Sequence, residues 1–361
     1  MKAFLRISVT LFLLLSSLSG YSASLELSKQ YDREFKVSPA SKLYVENKYG
    51  QISIENWDKN AIAIHVDVKV ENANAERAKS MLDAINVEFS ETENLVSAIT
   101  RFNEDIRKSS PRLFSSFSNT ELSINYKIFM PKNIEVELLN KYGNTFVNEL
   151  NARITVDLMY GNFKANKLGL GDSQPLSSIT VGYGDVAISE ANWLKVEMKY
   201  SNLNIEAAQA MVVLSKYSKV YLGRVNSLVL ESKYDRYEVG SVMNLEGESG
   251  YTDFDISNLG KKFNLTTRYG NVKIIDVSDS FQSIRFEGAY TGLKAGINPN
   301  VSYRIDAEAA YGSINFSADK SSVNRIEDNT TIQVSGLVGT NSRTNAEVYI
   351  RIKYGNANLN K

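Results

Sequence analysis

The chain of 361 residues contains no cysteine, five prolines and a single histidine, and its 41 basic residues are matched by 41 acidic ones. Without cysteine there is no disulfide, no thiolate metal site, no cysteine nucleophile and no lipid-bearing cysteine behind an export signal, so a bacterial lipoprotein is excluded. One histidine cannot supply a metal-binding pair. Balanced charge provides no overall field to draw nucleic acid or an anionic membrane, and neither is expected as a partner. The scarcity of proline suits a chain that is ordered along its length.

Long apolar runs are missing too, with one exception at the start. Residues 1–23 carry Lys2 and Arg6, then Val9, Leu11, Phe12, Leu13, Leu14 and Leu15, then the small residues Ser19, Gly20, Ser22 and Ala23. This reads as a cleaved secretory signal, its apolar core shorter than the roughly 20 residues a membrane-spanning helix needs. No transmembrane segment is expected after cleavage. The expected location is the periplasm, the outer membrane surface or the medium.

What the sequence has in abundance is a repeat. Tyr142, Tyr160, Tyr183, Tyr200, Tyr217, Tyr234, Tyr251, Tyr269, Tyr290, Tyr311 and Tyr354 recur, with a step of 17 between Tyr183 and Tyr251 and looser steps on either side. An outlying copy sits at Tyr49. Apolar residues recur six and four positions before each tyrosine and three and five after it, as in Leu194, Val196, Leu203 and Ile205 around Tyr200. That alternation is the period of a half-buried strand, and its phase inverts across the tyrosine, so the chain must bend there. Turn formers follow the tyrosine, as in Gly143-Asn144, Gly184-Asp185 and Gly270-Asn271. Each repeat is expected to run strand, corner, strand, corner, and the 43 residues from Tyr311 to Tyr354 leave room for two such turns.

Two strands of five or six residues cannot bury an apolar face alone, whereas units stacked about 4.8 Å apart bury a continuous core. The expected fold is therefore all-β, a β-solenoid resembling a parallel β-helix with coils of roughly 17 residues. An antiparallel meander closing into a sandwich or barrel is the alternative. A transmembrane barrel needs strands of roughly 9 to 11 residues.

The first copy and the regular stack are separated by a different texture. Ile62, Ile64, Val66 and Val68 alternate as a strand, Ala75, Ala78, Met81, Leu82 and Ile85 fall at helical spacing, and residues 87–89, 95–99 and 122–130 read as further strands. A small α/β amino-terminal elaboration is expected, closing one end of the stack. The expected organisation is a signal at 1–23, the first coil with this elaboration and a mobile loop (100–120) at 24–131, and the tyrosine-marked repeats at 132–361.

Candidate chemistry is sparse. His65 faces outward in its strand and lacks a partner for nucleophilic or metal chemistry. Glu46, Asp157, Glu197, Glu231, Glu248, Glu287 and Glu308 stand three positions before the tyrosine; Lys48, Lys141, Lys199, Lys216, Lys233, Arg268 and Lys353 stand one before. Both rows are expected on the outer surface, paired along and across coils and worth about 0.2 to 1 kcal/mol per pair. Asp185, Asp235 and Asp253 lack the regular repeat that calcium-binding turns require. No phosphate-cradling glycine loop appears, and no cofactor is expected. The tyrosines have two readings. They are corner aromatics packed in the phase of the buried positions, or a ligand ridge of Tyr183, Tyr200, Tyr217, Tyr234, Tyr251 and Tyr269 with Lys199, Lys216 and Lys233, stacking on sugar rings or gripping an extended polymer.

The signal, the repeated K-Y-G-N-x-x-V and L-K-V-E-M-K-Y-S-N-L-N-I units and the stretch I-N-Y-K-I-F-M-P-K-N-I-E-V-E-L-L-N-K-Y-G resemble the adhesin-like β-strand-repeat family of bacteria. That family is a domain of unknown function related to adhesin head domains. The resemblance implies an envelope or surface protein of a Gram-negative bacterium and supplies no catalytic residues. The resulting expectation is a non-catalytic interaction scaffold, with envelope polysaccharide or a surface protein as partner. A polysaccharide-active β-helix enzyme and a purely structural stalk are the alternatives.

Overall fold

The alternating apolar positions form strands because each buries one face and leaves the other in water. The computed structural model describes residues 25–103, 120–169, 176–317 and 320–361. The expected signal segment and residues 104–119 of the expected loop lie outside them. The chain forms two compact units, dividing between Pro175 and Leu176.

In the second unit, strands Asp185–Lys199, Asn202–Lys216, Lys219–Lys233 and Arg236–Gly250 pair in parallel, each shifted by one 17-residue repeat. Equivalent residues therefore stack in columns such as Val186, Leu203, Val220, Tyr237 and Phe254. Parallel pairing in register identifies the coils as those of a β-solenoid and rejects the meander. The halves of each coil are not separate short strands, as expected, but one continuous 15-residue strand. Two gentle bends replace the second corner. Between Ile188 and Leu194 only Ala191 points inward, and Ala208, Val225, Val242 and Leu259 stack beneath it, all buried. On either side of this column the ladder skips one residue, Ser189 and Asn192 in the first of these coils, and the strand turns there.

The 43-residue interval does not hold two coils. The strand Ser283–Ile297 pairs in parallel with Glu347–Lys353, and this in turn with Tyr303–Ala310. The last strands of the sequence are thus inserted between two coils that precede them. The interval is used by Ser321–Asp328 and Thr331–Val338, a hairpin whose second strand runs antiparallel to Tyr303–Ala310. An antiparallel pair at the end of a parallel stack occupies backbone groups that would otherwise template aggregation.

The first unit repeats the scheme with shorter strands. Lys42–Lys48 pairs in parallel with Glu135–Lys141, and that with Ile154–Met159. On its other side Lys42–Lys48 meets Leu95–Phe102, which pairs antiparallel with Ile85–Glu91. Ile52–Asn56 meets Thr120–Met130, followed by the antiparallel strands Ala61–Asn72 and Leu25–Lys36. The helix Ala75–Asp83 buries Ala78 and Met81, and the Asn74 side chain accepts the Arg77 N–H at its start. Leu25–Lys36 was not expected from sequence, because Tyr31 and Phe35 alone mark its buried face.

Candidate functional site

Every tyrosine of the repeat has a left-handed backbone, with φ between 53° and 67°, and these twelve are the non-glycine residues with positive φ among the described residues. The left-handed residue of each corner is therefore the tyrosine itself, and only after Tyr269 does the following glycine, Gly270, also take a positive φ, at 132°. For an L-residue this conformation costs about 1–2 kcal/mol. It also turns the side chain out of the phase set by the buried positions before it. In the second unit the rings are 40% to 55% exposed, where burial was expected.

What offsets the strain is on the surface. Tyr183, Tyr200, Tyr217, Tyr234, Tyr251 and Tyr269 stack with centroids 4.6 to 5.1 Å apart and planes within 14° of parallel. Each pair contributes about 0.5–1.5 kcal/mol. The ladder continues through Tyr290, Tyr354 and Tyr311, in that spatial order. In the first unit Tyr49, Tyr142 and Tyr160 stack in the same way, and Phe102 closes that row edge-on to Tyr49 at 6.0 Å. Backbone bonds hold the rows: Tyr183, Tyr200 and Tyr217 donate their N–H groups to the carbonyls of Lys199, Lys216 and Lys233 of the next coil.

This geometry decides what the ladder presents. Each inner ring has a neighbouring ring about 5 Å from either face, too close to admit a ligand between them. The ladder thus offers ring edges and hydroxyl ends, and a platform for sugar faces, one of the expected uses, is not available along it.

Beside the ladder, Lys199, Lys216 and Lys233 lie in register on adjacent strands, followed by Gly250 and Arg268. The acidic row three positions before the tyrosine does not pair with these lysines, contrary to expectation. Glu197 pairs with Lys195 at 2.5 Å and Glu287 with Arg285 at 2.6 Å, on the other side. Four of the lysines before a tyrosine lie over its ring instead: the Lys216 ammonium lies 5.3 Å from the Tyr217 centroid, and Lys48, Lys141 and Lys353 lie similarly over Tyr49, Tyr142 and Tyr354. Lys199, Lys216 and Lys233 have no carboxylate within ion-pairing distance among the described residues.

Beneath the tyrosines runs a second column that the sequence reading passed over. Ser201, Ser218, Asp235 and Thr252 follow successive tyrosines, and each side-chain oxygen accepts the backbone N–H of the equivalent residue one coil earlier, at 2.7 to 3.4 Å. Asp235 also accepts from the Ser215 and Ser232 hydroxyls at 2.8 and 2.6 Å, and Ser215 bonds the buried Tyr237 hydroxyl at 2.7 Å. Burial pushes the Asp235 carboxyl up from its ordinary range, against the hydrogen bonds that favour its ionised form. Where the residue after the tyrosine is glycine, the coils approach more closely. A Cβ on Gly143 would lie 1.9 Å from the Gly50 carbonyl oxygen, and Asn140 donates to the carbonyls of both glycines. The signal for this column was the alternation of glycine with serine, threonine and aspartate after the tyrosine.

The other sequence candidates are dispersed. His65 contacts Asp32 through Nδ1 and meets the Phe129 ring edge-on at 6.0 Å, in a shallow groove of about 620 Å³ on the first unit. Asp185 accepts from Asn202, Asp253 accepts from Asn271, and Asp235 is engaged as described. Among the described residues no three acidic or histidine side chains gather as a metal site.

No family model matches the chain, and no curated protein is similar to it. Solved structures that align with it include the following two. One is a protein of Clostridium sporogenes provisionally named for cell adhesion, 15% identical over 92% of this chain and 99% of that one, with a TM-score of 0.18. The other, from Parabacteroides distasonis, is provisionally named for lipid binding. It is 12% identical over 72% of this chain and 94% of that one, with a TM-score of 0.31.

Proposed function

We propose that the protein is an exported, adhesin-like and non-catalytic scaffold of the bacterial envelope or cell surface that holds an extended acidic polysaccharide along its tyrosine and lysine ridge. The observation that carries this reading is the register of Lys199, Lys216 and Lys233, one per strand, beside stacked tyrosine hydroxyls and without carboxylate partners. Strands about 4.8 Å apart set the ammonium groups at intervals that a chain of charged sugars can follow. Tyrosine hydroxyls donate or accept with equal ease, so they suit sugar hydroxyls beside the charges. Each exposed contact is weak, and affinity comes from the row acting together.

The test uses the purified protein and polygalacturonate oligosaccharides. Binding should weaken as salt rises, because exposed charges are screened, and should fall at least about tenfold, or roughly 1.4 kcal/mol, when the three lysines are replaced by alanine. Unchanged binding in that variant rejects the ridge. Release of new reducing ends would favour the enzymatic alternative, and absence of any ligand the structural stalk.

A further inference from the structure

The outer face of the second unit carries a groove of about 570 Å³ that is separate from the ridge. Two rows of side chains run across it in register. One consists of Ser227, Asn244, Lys262, Ser283 and Glu347; the other begins at Val229 and ends at Tyr349, with Glu246 and Asn264 between them. The five strands span about 19 Å at the usual 4.8 Å spacing.

Gly247 stands where the adjacent coils place Leu230 and Leu265, and a Cβ there would lie 2.7 Å from Leu230 Cδ1. This coil therefore presents no inward side chain at that position, directly beside Glu246 on the groove floor.

The lining is polar and uncommitted. Asn244, Glu246, Lys262, Asn264, Ser283 and Glu347 make no side-chain hydrogen bond or ion pair among the described residues. Arg285, which stands between Asn264 and Tyr349 in the second row, is paired with Glu287, and Arg351 beside it with Asp306. Val229 stands 46% exposed at one end. At the other, Tyr349 is clamped between the guanidinium groups of Arg285 and Arg351, each 4.1 Å from its centroid, which fixes the ring as an end wall.

We infer that this groove binds a neutral, extended oligosaccharide of about four pyranose units, roughly one per strand spacing. Amides, carboxylates and an ammonium group, alternating at the strand spacing, match the vicinal hydroxyls of a sugar chain, which donate and accept in turn. The uncommitted charges are two carboxylates and one ammonium, so a polyanion of the kind proposed for the ridge is disfavoured here. Glu246 and Glu347 lie three strand spacings apart, about 14 Å, beyond the roughly 9.5 Å limit for a hydrolytic carboxylate pair, so the groove holds its ligand without cleaving it.

Titration of the purified protein with cellohexaose and chitohexaose, by calorimetry or by shifts of the Asn244 and Asn264 amide resonances, tests the assignment. At least one hexasaccharide should bind. Affinity should drop about tenfold or more in Asn264→Ala and be abolished in Ser283→Trp, which fills the groove from a half-buried position on its floor. The triple lysine variant of the ridge should bind as the wild type does, which separates this site from the one proposed above. Failure of both sugars to bind, or equal binding by Asn264→Ala and Ser283→Trp variants with unchanged melting curves, overturns the inference. Binding of decalysine but of neither sugar overturns it in favour of a cationic polypeptide.

Discussion

The ring of Tyr290 stacks on Tyr354 at 4.7 Å, and Tyr311, which precedes Tyr354 in the chain, lies on the far side at 4.9 Å. The final coil is therefore interior, wedged between strands Ser283–Ile297 and Tyr303–Ala310. Its removal leaves a gap in the stack and not a shorter stack. Truncation after Asn345 should expose residues 303–338 to rapid proteolysis under conditions where the full chain resists. Equal protease resistance would contradict this placement.

Tyr217 touches a ring on each face and holds φ at 54°. Replacing it by alanine loses two stacking contacts, about 1–3 kcal/mol together, and keeps the left-handed strain. Replacing it by glycine loses the same contacts but relieves the strain, so Tyr217→Gly should be the more stable variant by about 1 kcal/mol, the reverse of the usual order within strands. Lys216→Ala, which removes a single exposed cation-π contact, should cost no more than about 1 kcal/mol. Urea unfolding of the three variants gives the order directly.

Gly143 has no room for a methyl group, since a Cβ would lie 1.9 Å from the Gly50 carbonyl oxygen. Gly143→Ala must push two backbones apart, and a loss of about 3 kcal/mol or more is expected, in the range reserved for backbone and core disruption. Gly169→Ala serves as the control, because its nearest atoms lie at 3.5 Å or more. Similar melting temperatures for the two would refute the close approach.

Asp235 has its carboxyl pushed up by burial, so the folded state binds its proton more tightly than the unfolded chain. For this group stability falls as pH rises from the ordinary aspartate range through the raised folded value, and is flat above it. Asp235→Asn removes that titration while keeping an oxygen to accept from the Ser218 N–H. The stability of the wild type relative to this variant should therefore improve between pH 7 and pH 4. A difference that is constant, or that moves the other way, would show the site to be solvated.

The parts of this fold that were legible in sequence are those governed by local alternation. The twelve tyrosines that mark the repeat are the non-glycine residues with positive φ among the described residues, because a phase inversion can be accommodated only by a special backbone conformation. The strands between them, the helix Ala75–Asp83 and the parallel stacking follow from apolar periods and from the constant step. The edge-on presentation of the rings was not legible. Alternation assigns a position to a face only while the backbone stays extended, and the left-handed turn ends that rule at the residue of interest.

The sequence by itself determined the coil length, the corner residue and the inward columns, since each depends on neighbours within one repeat. Only the tertiary structure decided what lies between coils. That includes the insertion of the Tyr354 coil before the Tyr311 coil and the ladder from Ser201 to Thr252. These features join residues one repeat or more apart, and near-identical repeats offer near-identical local signals. The choice among them rests on which coil closes against which.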